Sequence, residues 1–392
     1  MLAYTFYEGD NRVRRCAEAL ARRGDHVDVV ALRREGQPRL ETIRGVHIHR
    51  IQLRRIDERG PLSYLRKLSA FFLRSTYWLI VHGLKKPFDI IHVHSVPDFE
   101  VFATLVPRLI GAKIILDIHD IVPEFYASKF NVSGRSFIFR MLVMIERLSA
   151  SYCHHVIISN HLWHQRLTKR SVKPHKCTTL INYPDRSIFS RRPRTRANAE
   201  EFVLCYPGTL NAHQGVDLAI CAISQLRECA PSVRLQIIGD GPDREKLKRM
   251  VAELGLNQFV TITGFIPMEQ VAEAIANADL GIVPKRSDSF GNEAFSTKIL
   301  EFMAMGVPVL ASRTAVDQFY FDDELVQFFE PQNVDDMAAK ILQLMHDKPR
   351  CQSLQDKATG FIERNNWNQR EAEYLNLVDR LVGQPSLCEE PA

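Results

Sequence analysis

Glu293 and Glu301, with Lys298 between them, are the residues of this chain whose types and spacing best suit chemistry. Polar turn residues lead to Ser296 as an N-cap. Ile299, Phe302 and Met303 then fall on one helical face, and Gly306 followed by Pro308 stops the helix. Glu293 is placed in the loop before this helix. Thr297, Lys298 and Glu301 share the face opposite the apolar one. Two carboxylates, an ammonium and the unpaired N–H groups of Phe295 to Lys298 therefore converge as an anion site with hydroxyl-binding carboxylates beside it. The same spacing also suits a solvated helix face, where a Glu/Lys pair is worth only about 0.3 kcal/mol.

The elements that must position such a site alternate strand and helix, the pattern of an α/β fold with parallel sheets. In the first half, strands are expected at 2–6, 26–32, 46–51, 88–94, 113–118 and 155–159. Functional residues of such sheets gather at strand carboxyl ends, which here carry Gly9, His92, His94, His119, Asp120 and Asn160. In the second half, strands are expected at 202–206, 233–238, 260–263, 280–283, 307–311 and 326–329. Their ends carry Gly208, Thr209, His213, the Gly239-Asp-Gly-Pro242 turn, and Phe265 and Ile266. His92-x-His94 with His119 and Asp120 superficially resembles a metal-ligand cluster, and His119 reads alternatively as a structural histidine packed under its loop. Gly9 lacks a G-x-G-x-x-G context, which argues against a dinucleotide site.

Glu293 to Glu301 matches an E-x7-E motif. Followed by Gly306-Val-Pro308-Val, the segment resembles the signature of retaining glycosyltransferase family 4. The similarity runs through Asp10-Asn-Arg-Val-Arg-Arg, Asp117-Ile-His-Asp120, Pro207-Gly-Thr-Leu and Gly239-Asp-Gly-Pro242, nearly the whole chain. It implies the GT-B fold, with two Rossmann-like α/β domains whose parallel sheets face a central cleft. It also implies hexosyl or N-acetylhexosaminyl transfer from a nucleotide-sugar, with retention, to a glycan or polyprenyl-diphosphate-linked acceptor in polysaccharide or glycoconjugate synthesis.

On this resemblance His119 touches the transferred sugar and Gly9 approaches donor or acceptor. Glu293 holds donor-sugar hydroxyls and Glu301 the ribose. The backbone of Phe295, Ser296 and Thr297, with Lys298, takes the diphosphate. Gly208, Thr209 and His213 line the phosphates, and Phe265 and Ile266 read the base. No bound metal or other cofactor is expected. The chain departs from the family where an Arg usually follows the first glycine and a Lys precedes the last, since Thr209 and Gln214 stand there. Lys298, helped by His213, is expected to supply the missing charge. The alternatives are a nucleotide-sugar epimerase or hydrolase, and a non-catalytic binder.

At 392 residues with 45% hydrophobic and 25% charged content, the chain suits two soluble domains. The divisions expected are 1–190, a linker at 191–200, 201–365, a helix at 366–383 crossing back to the first domain, and a tail at 384–392. Eight cysteines without C-x-x-C spacing read as free thiols of a reducing compartment. With no membrane-spanning run or signal peptide, a cytoplasmic location is expected.

The net charge of +5 is unevenly spread: residues 1–190 hold 30 Lys and Arg against 17 Asp and Glu. A basic first half suits an anionic partner, and no nucleic-acid motif accompanies it. The segment 61–87, rich in aromatic and basic residues, reads either as a helix packed on the sheet or as an interfacial helix at the inner face of the membrane. The run 136–147, apolar nearly all round, is expected to be buried core.

Overall fold

The computed structural model describes residues 1–54, 61–130, 132–196, 198, 200–288 and 290–383; the expected tail at 384–392 lies outside them. The chain forms two compact units, one of residues 1–182 with 370 onward, the other of 183–369.

The first unit holds eight strands: β1 Leu2–Ala3, β2 Val27–Arg33, β3 Leu40–Ile43, β4 Val46–Leu53, β5 Ile90–His94, β6 Lys113–Ile118, β7 His155–Ile158 and β8 Cys177–Thr179. They lie in the order β3-β4-β2-β1-β5-β6-β7-β8. All neighbours pair in parallel, as expected, with one addition at the edge, where β3 runs antiparallel to β4. β3 and β8 escaped the sequence reading because they are short edge strands. β6 and β7 are apolar and buried on both faces, as the middle of a covered parallel sheet requires.

The helices of this unit are α1 Asn11–Arg23, α2 Pro61–Lys85, α3 Leu105–Leu109, α4 Val122–Phe130, α5 Phe137–Tyr152 and α6 His161–Arg170. The carboxylate of Asp10 caps α1 by accepting from the N–H groups of Arg12 and Val13, both at 3.1 Å, and Gly24 ends it at φ 101°. The crossovers β4 to β5, β5 to β6 and β6 to β7 all step the same way along the sheet. Right-handedness then puts α2, α3 and α5 on one face and α1 on the other. The segment 61–87 forms one helix, which ends at Lys85.

The expectation that 136–147 is core is overturned. Phe137 is 81% exposed, and Ile138, Met141, Met144 and Leu148 are also exposed. The face that α5 buries carries Glu146, Ser149 and Ala150. Arg170 explains this inversion, since its guanidinium donates to both Glu146 and Glu124 and so ties the polar face of α5 inward.

The second unit is an all-parallel sheet of β9 Phe202–Pro207, β10 Val233–Ile238, β11 Val260–Gly264, β12 Leu280–Val283, β13 Val309–Ser312 and β14 Gln327–Phe329, in the order β11-β10-β9-β12-β13-β14. Its helices are α7 Val216–Leu226, α8 Arg244–Glu253, α9 Met268–Ala276, α10 Thr297–Met305, α11 Ala315–Tyr320, α12 Val334–His346 and α13 Lys348–Arg364. Much of the segment expected as a linker is fastened to this unit. Arg196 pairs with Asp279, and the Asn277 side chain accepts from the N–H of Thr195 at 2.7 Å.

The last helix, α14 Trp367–Val382, delivers residues to the first unit. There Glu371 pairs with Arg22 at 2.7 Å and Asp379 with Arg23 at 2.6 Å. Tyr374 is buried with its hydroxyl 3.0 Å from Nδ1 of His92. Among the described residues no helix is long and apolar enough to cross a membrane.

Candidate active site

In the second unit, the predicted site residues gather at the carboxyl edge of the sheet. The ends of β9, β10 and β11 are locked side by side: the N–H of Gly208 donates to the carbonyl of Ile238 at 2.7 Å, and that of Gly239 to the carbonyl of Gly264 at 2.9 Å. A Cβ on Gly239 would stand 1.9 Å from the carbonyl oxygen of Gly208, so only glycine lets the two turns approach this closely. Phe265, 73% exposed, and Ile266 follow at the end of β11, and Thr209 is exposed after β9.

The helix of the E-x7-E segment, α10, buries Ile299, Leu300, Phe302, Met303 and Met305 and leaves Thr297, Lys298 and Glu301 partly exposed. Ser296 occupies the N-cap position but makes no cap bond. Its Oγ is buried with no hydrogen-bond partner among the described residues. A buried hydroxyl at a helix N-terminus is equipped to meet an anion. The ring of Phe295 packs on Tyr320 at 4.8 Å between centroids, so this residue offers the site its backbone.

Lys298 reaches back to the glycine turn. Its Nζ donates to Oε1 of Gln214 at 3.0 Å and lies 5.4 Å from the centre of the Tyr206 ring, whose hydroxyl donates to the same Oε1 at 3.2 Å. A Cβ on Gly208 would fall 2.3 Å from Cε of Lys298, which places this ammonium directly against the turn. Burial pulls its pKa down to about 8, with the charge of Glu301 acting the other way.

His213 does not supply the second charge expected of it. Burial drives its pKa down to about 4, so near neutrality its ring offers a neutral nitrogen. Tyr206 and Gln214 were not foreseen as partners of Lys298, although the departure at Gln214 was the one signal in the sequence.

The loop carrying Glu293 is held from beneath. Lys285, 2% exposed, donates to the carbonyl of Ala294 at 2.7 Å and pairs with the fully buried Asp317 at 2.9 Å. Asn292 accepts from the N–H groups of Ala315 and Val316. Glu293 thus stands on a loop fixed on both sides. Neither Lys285 nor Asp317 had a signature in the sequence.

In the first unit, His119 follows β6 with its Nε2 3.1 Å from Nδ1 of His94 and 3.6 Å from Asp117. Asp117 is the hub. Arg12, at the start of α1, donates to its two oxygens at 2.7 and 2.8 Å, and to the carbonyl of Leu180 at 2.6 Å. Burial opposes the charge of Asp117, but Arg12 and His119 outweigh it and hold the carboxyl well below its usual range. For His119, too, burial works against the cation, and Asp117 more than offsets this, raising its pKa. Burial keeps His92 and His94 lowered. The ligand atoms of His92, His94 and Asp117 lie within 4.8 Å of one another. The Arg12 guanidinium neutralises the same carboxylate. Gly9 is exposed at the end of a 3-10 turn, its N–H donating to the carbonyl of Phe6 at 2.9 Å.

Residues 188–361 match the model of "Glycosyl transferases group 1" and residues 9–182 that of the "Glycosyl transferase 4-like domain". The chain is a family 4-like glycosyltransferase. This glycosyltransferase is 24% identical over 386 residues to the sulfoquinovosyl transferase SQD2 of Arabidopsis thaliana, covering 93% of this chain and 69% of that one. It is 30% identical over 197 residues to the GDP-mannose-dependent alpha-(1-6)-phosphatidylinositol monomannoside mannosyltransferase of Mycolicibacterium smegmatis, covering 47% of this chain and 51% of the relative. Its architecture is similar to that of the sucrose-phosphate synthase of Thermosynechococcus elongatus, with a TM-score of 0.80, 21% identity, and coverage of 97% of this chain and 99% of that one. The GT-B fold of two parallel-sheet domains follows, with the antiparallel β3 as its local exception.

Proposed function

We propose that this glycosyltransferase binds the diphosphate of a nucleotide-sugar between Lys298, the N-terminus of α10 and the Gly208 turn, and transfers the sugar with retention. The observation that carries the reading is the Lys298 ammonium held by Gln214 against Gly208, at the mouth of a helix whose Ser296 hydroxyl has no partner among the described residues. Negative charge develops on the diphosphate as the glycosidic bond breaks. A cation and helix dipole fixed beforehand stabilise that charge with no reorganisation. No bound metal is invoked.

Glu301 takes the ribose hydroxyls, Glu293 the donor-sugar hydroxyls, and the backbone at Phe265 and Ile266 the base. His119, with its proton favoured by Asp117, meets the transferred sugar. No carboxylate is assigned as a nucleophile, so front-face transfer assisted by the leaving phosphate is the mechanism proposed. The acceptor is a glycan or a lipid-linked sugar at an anionic membrane face, in keeping with the basic first half and with the phosphatidylinositol-linked acceptor in the mycobacterial relative's name.

Titration calorimetry with UDP, GDP and ADP tests the donor half: one nucleotide binds the native chain, and Lys298→Ala weakens that binding at least tenfold. NMR of the product's anomeric proton tests retention, and an inverted product would overturn the front-face mechanism. Equal binding of the nucleotide by Lys298→Ala would move the phosphate site elsewhere.

A further inference from the structure

We infer that the outer face of α5 is a docking surface for anionic phospholipid. The inference gives the membrane side of the proposed function a definite place, and it stands apart from the chemistry of transfer.

Phe137, Met141, Met144 and Leu148 recur at intervals of four, three and four residues. They therefore form one stripe on the helix, about 16 Å long at 1.5 Å per residue. All four are exposed, while Glu146 faces inward under Arg170 and accepts from Ser171 as well. A helix that turns its apolar side to water and ties its polar side to the core is orientated for an apolar partner. A groove of about 720 Å³ lies along it, with Phe137, Met141 and Met144 as its apolar lining and Arg140, Arg147 and Arg170 as its cationic lining.

Charge selects the partner. α2 and α5 both pack against the 98–104 turn, and they share one sheet face with α3. Segments 61–86, 98–110 and 122–152 hold ten Lys and Arg against four carboxylates, Asp98, Glu100, Glu124 and Glu146. All four carboxylates are buried. These helical segments thus present cations and apolar side chains, with the exposed Asp89 just beyond the end of α2: Lys129, Arg135, Arg140 and Arg147 are exposed around α4 and α5, and Leu73 and Tyr77 on α2. A second copy of the same face would set arginine against arginine, and a nucleic acid would leave the stripe wet. An anionic bilayer satisfies both features, lipid tails taking the stripe and headgroup phosphates the guanidinium groups.

The test is co-sedimentation of the full chain with vesicles of phosphatidylcholine containing about 30% phosphatidylglycerol, compared with phosphatidylcholine alone. The full chain binds the anionic vesicles selectively at low salt and less as salt rises, since each basic residue near the surface contributes roughly fivefold within a Debye length. Phe137→Ser/Met141→Ser/Leu148→Ser and, separately, Arg135→Glu/Arg140→Glu each reduce binding at least tenfold. Both leave nucleotide binding and the thermal midpoint unchanged, which separates this surface from the donor site. Undiminished vesicle binding by the triple variant would overturn the proposal. So would a concentration-dependent dimer that the same substitutions abolish, because the occupant would then be a second copy. An unaltered chain that binds the anionic vesicles but transfers no sugar would refute the proposed function and leave the docking surface standing.

Discussion

Lys298 and Gln214 are joined by a 3.0 Å hydrogen bond, at the position where the family pattern has a lysine in place of the glutamine. Here an ammonium reaches the glycine turn from α10. Gln214→Leu removes the acceptor that aims it. The variant is expected to bind nucleotide several-fold more weakly and to lose more in kcat, a split that steady-state kinetics will show. Gln214→Lys sets two cations side by side and is not expected to improve either.

The same lysine predicts a pH dependence. With its pKa near 8, Lys298 is charged below that value and neutral above it. Affinity for the nucleotide diphosphate is therefore flat below pH 8 and falls above it, by up to tenfold per unit until the pKa of the complex is reached. The folded pKa lies below the ordinary lysine value, so this group makes folding more favourable as pH rises through 8. The loss of affinity is thus not a loss of fold. Calorimetry from pH 6.5 to 9.5 checks it, and Lys298→Ala should abolish the alkaline limb.

Lys285 and Asp317 form a closed ion pair beneath the Glu293 loop. Lys285→Met leaves a buried carboxylate uncompensated and should cost about 3–5 kcal/mol in urea unfolding. Lys285→Met with Asp317→Leu should recover much of that stability. Turnover should stay low, because the carbonyl of Ala294 has lost its donor.

Glu301→Ala should weaken nucleotide binding by about 1.5–3 kcal/mol, the worth of a charged hydrogen bond to a ribose hydroxyl. Glu293→Ala should instead depress kcat with the nucleotide dissociation constant little changed. Undiminished affinity in Glu301→Ala would remove that residue from the ribose.

Much of the framework was legible because the pattern is local. β6, β10 and β12 fall where apolar runs bounded by turns place them, and α10 begins and ends at Ser296 and Gly306. The failures share a different cause. The run 136–147 is apolar nearly all round, so periodicity could not choose the inner face of α5. The choice was made by Arg170, from another helix, drawing Glu146 inward. His213 looked like a spare cation because its residue type permits charge, whereas burial removes it. The contacts of Lys298 with Gln214 and of Lys285 with Asp317 join residues 84 and 32 positions apart, beyond any local pattern.

The return of the chain to the first unit through α14 has a consequence for synthesis. When residue 369 leaves the ribosome, every strand of the eight-stranded sheet has been made. Arg22, Arg23 and His92 still lack Glu371, Asp379 and Tyr374. The half of the protein made first is therefore the half completed last, after the second unit's own strands and core helices have all emerged. A stop codon at position 370 would spare the unit that holds Lys298 and damage the one that holds His119. Such a product would keep nucleotide binding while losing transfer.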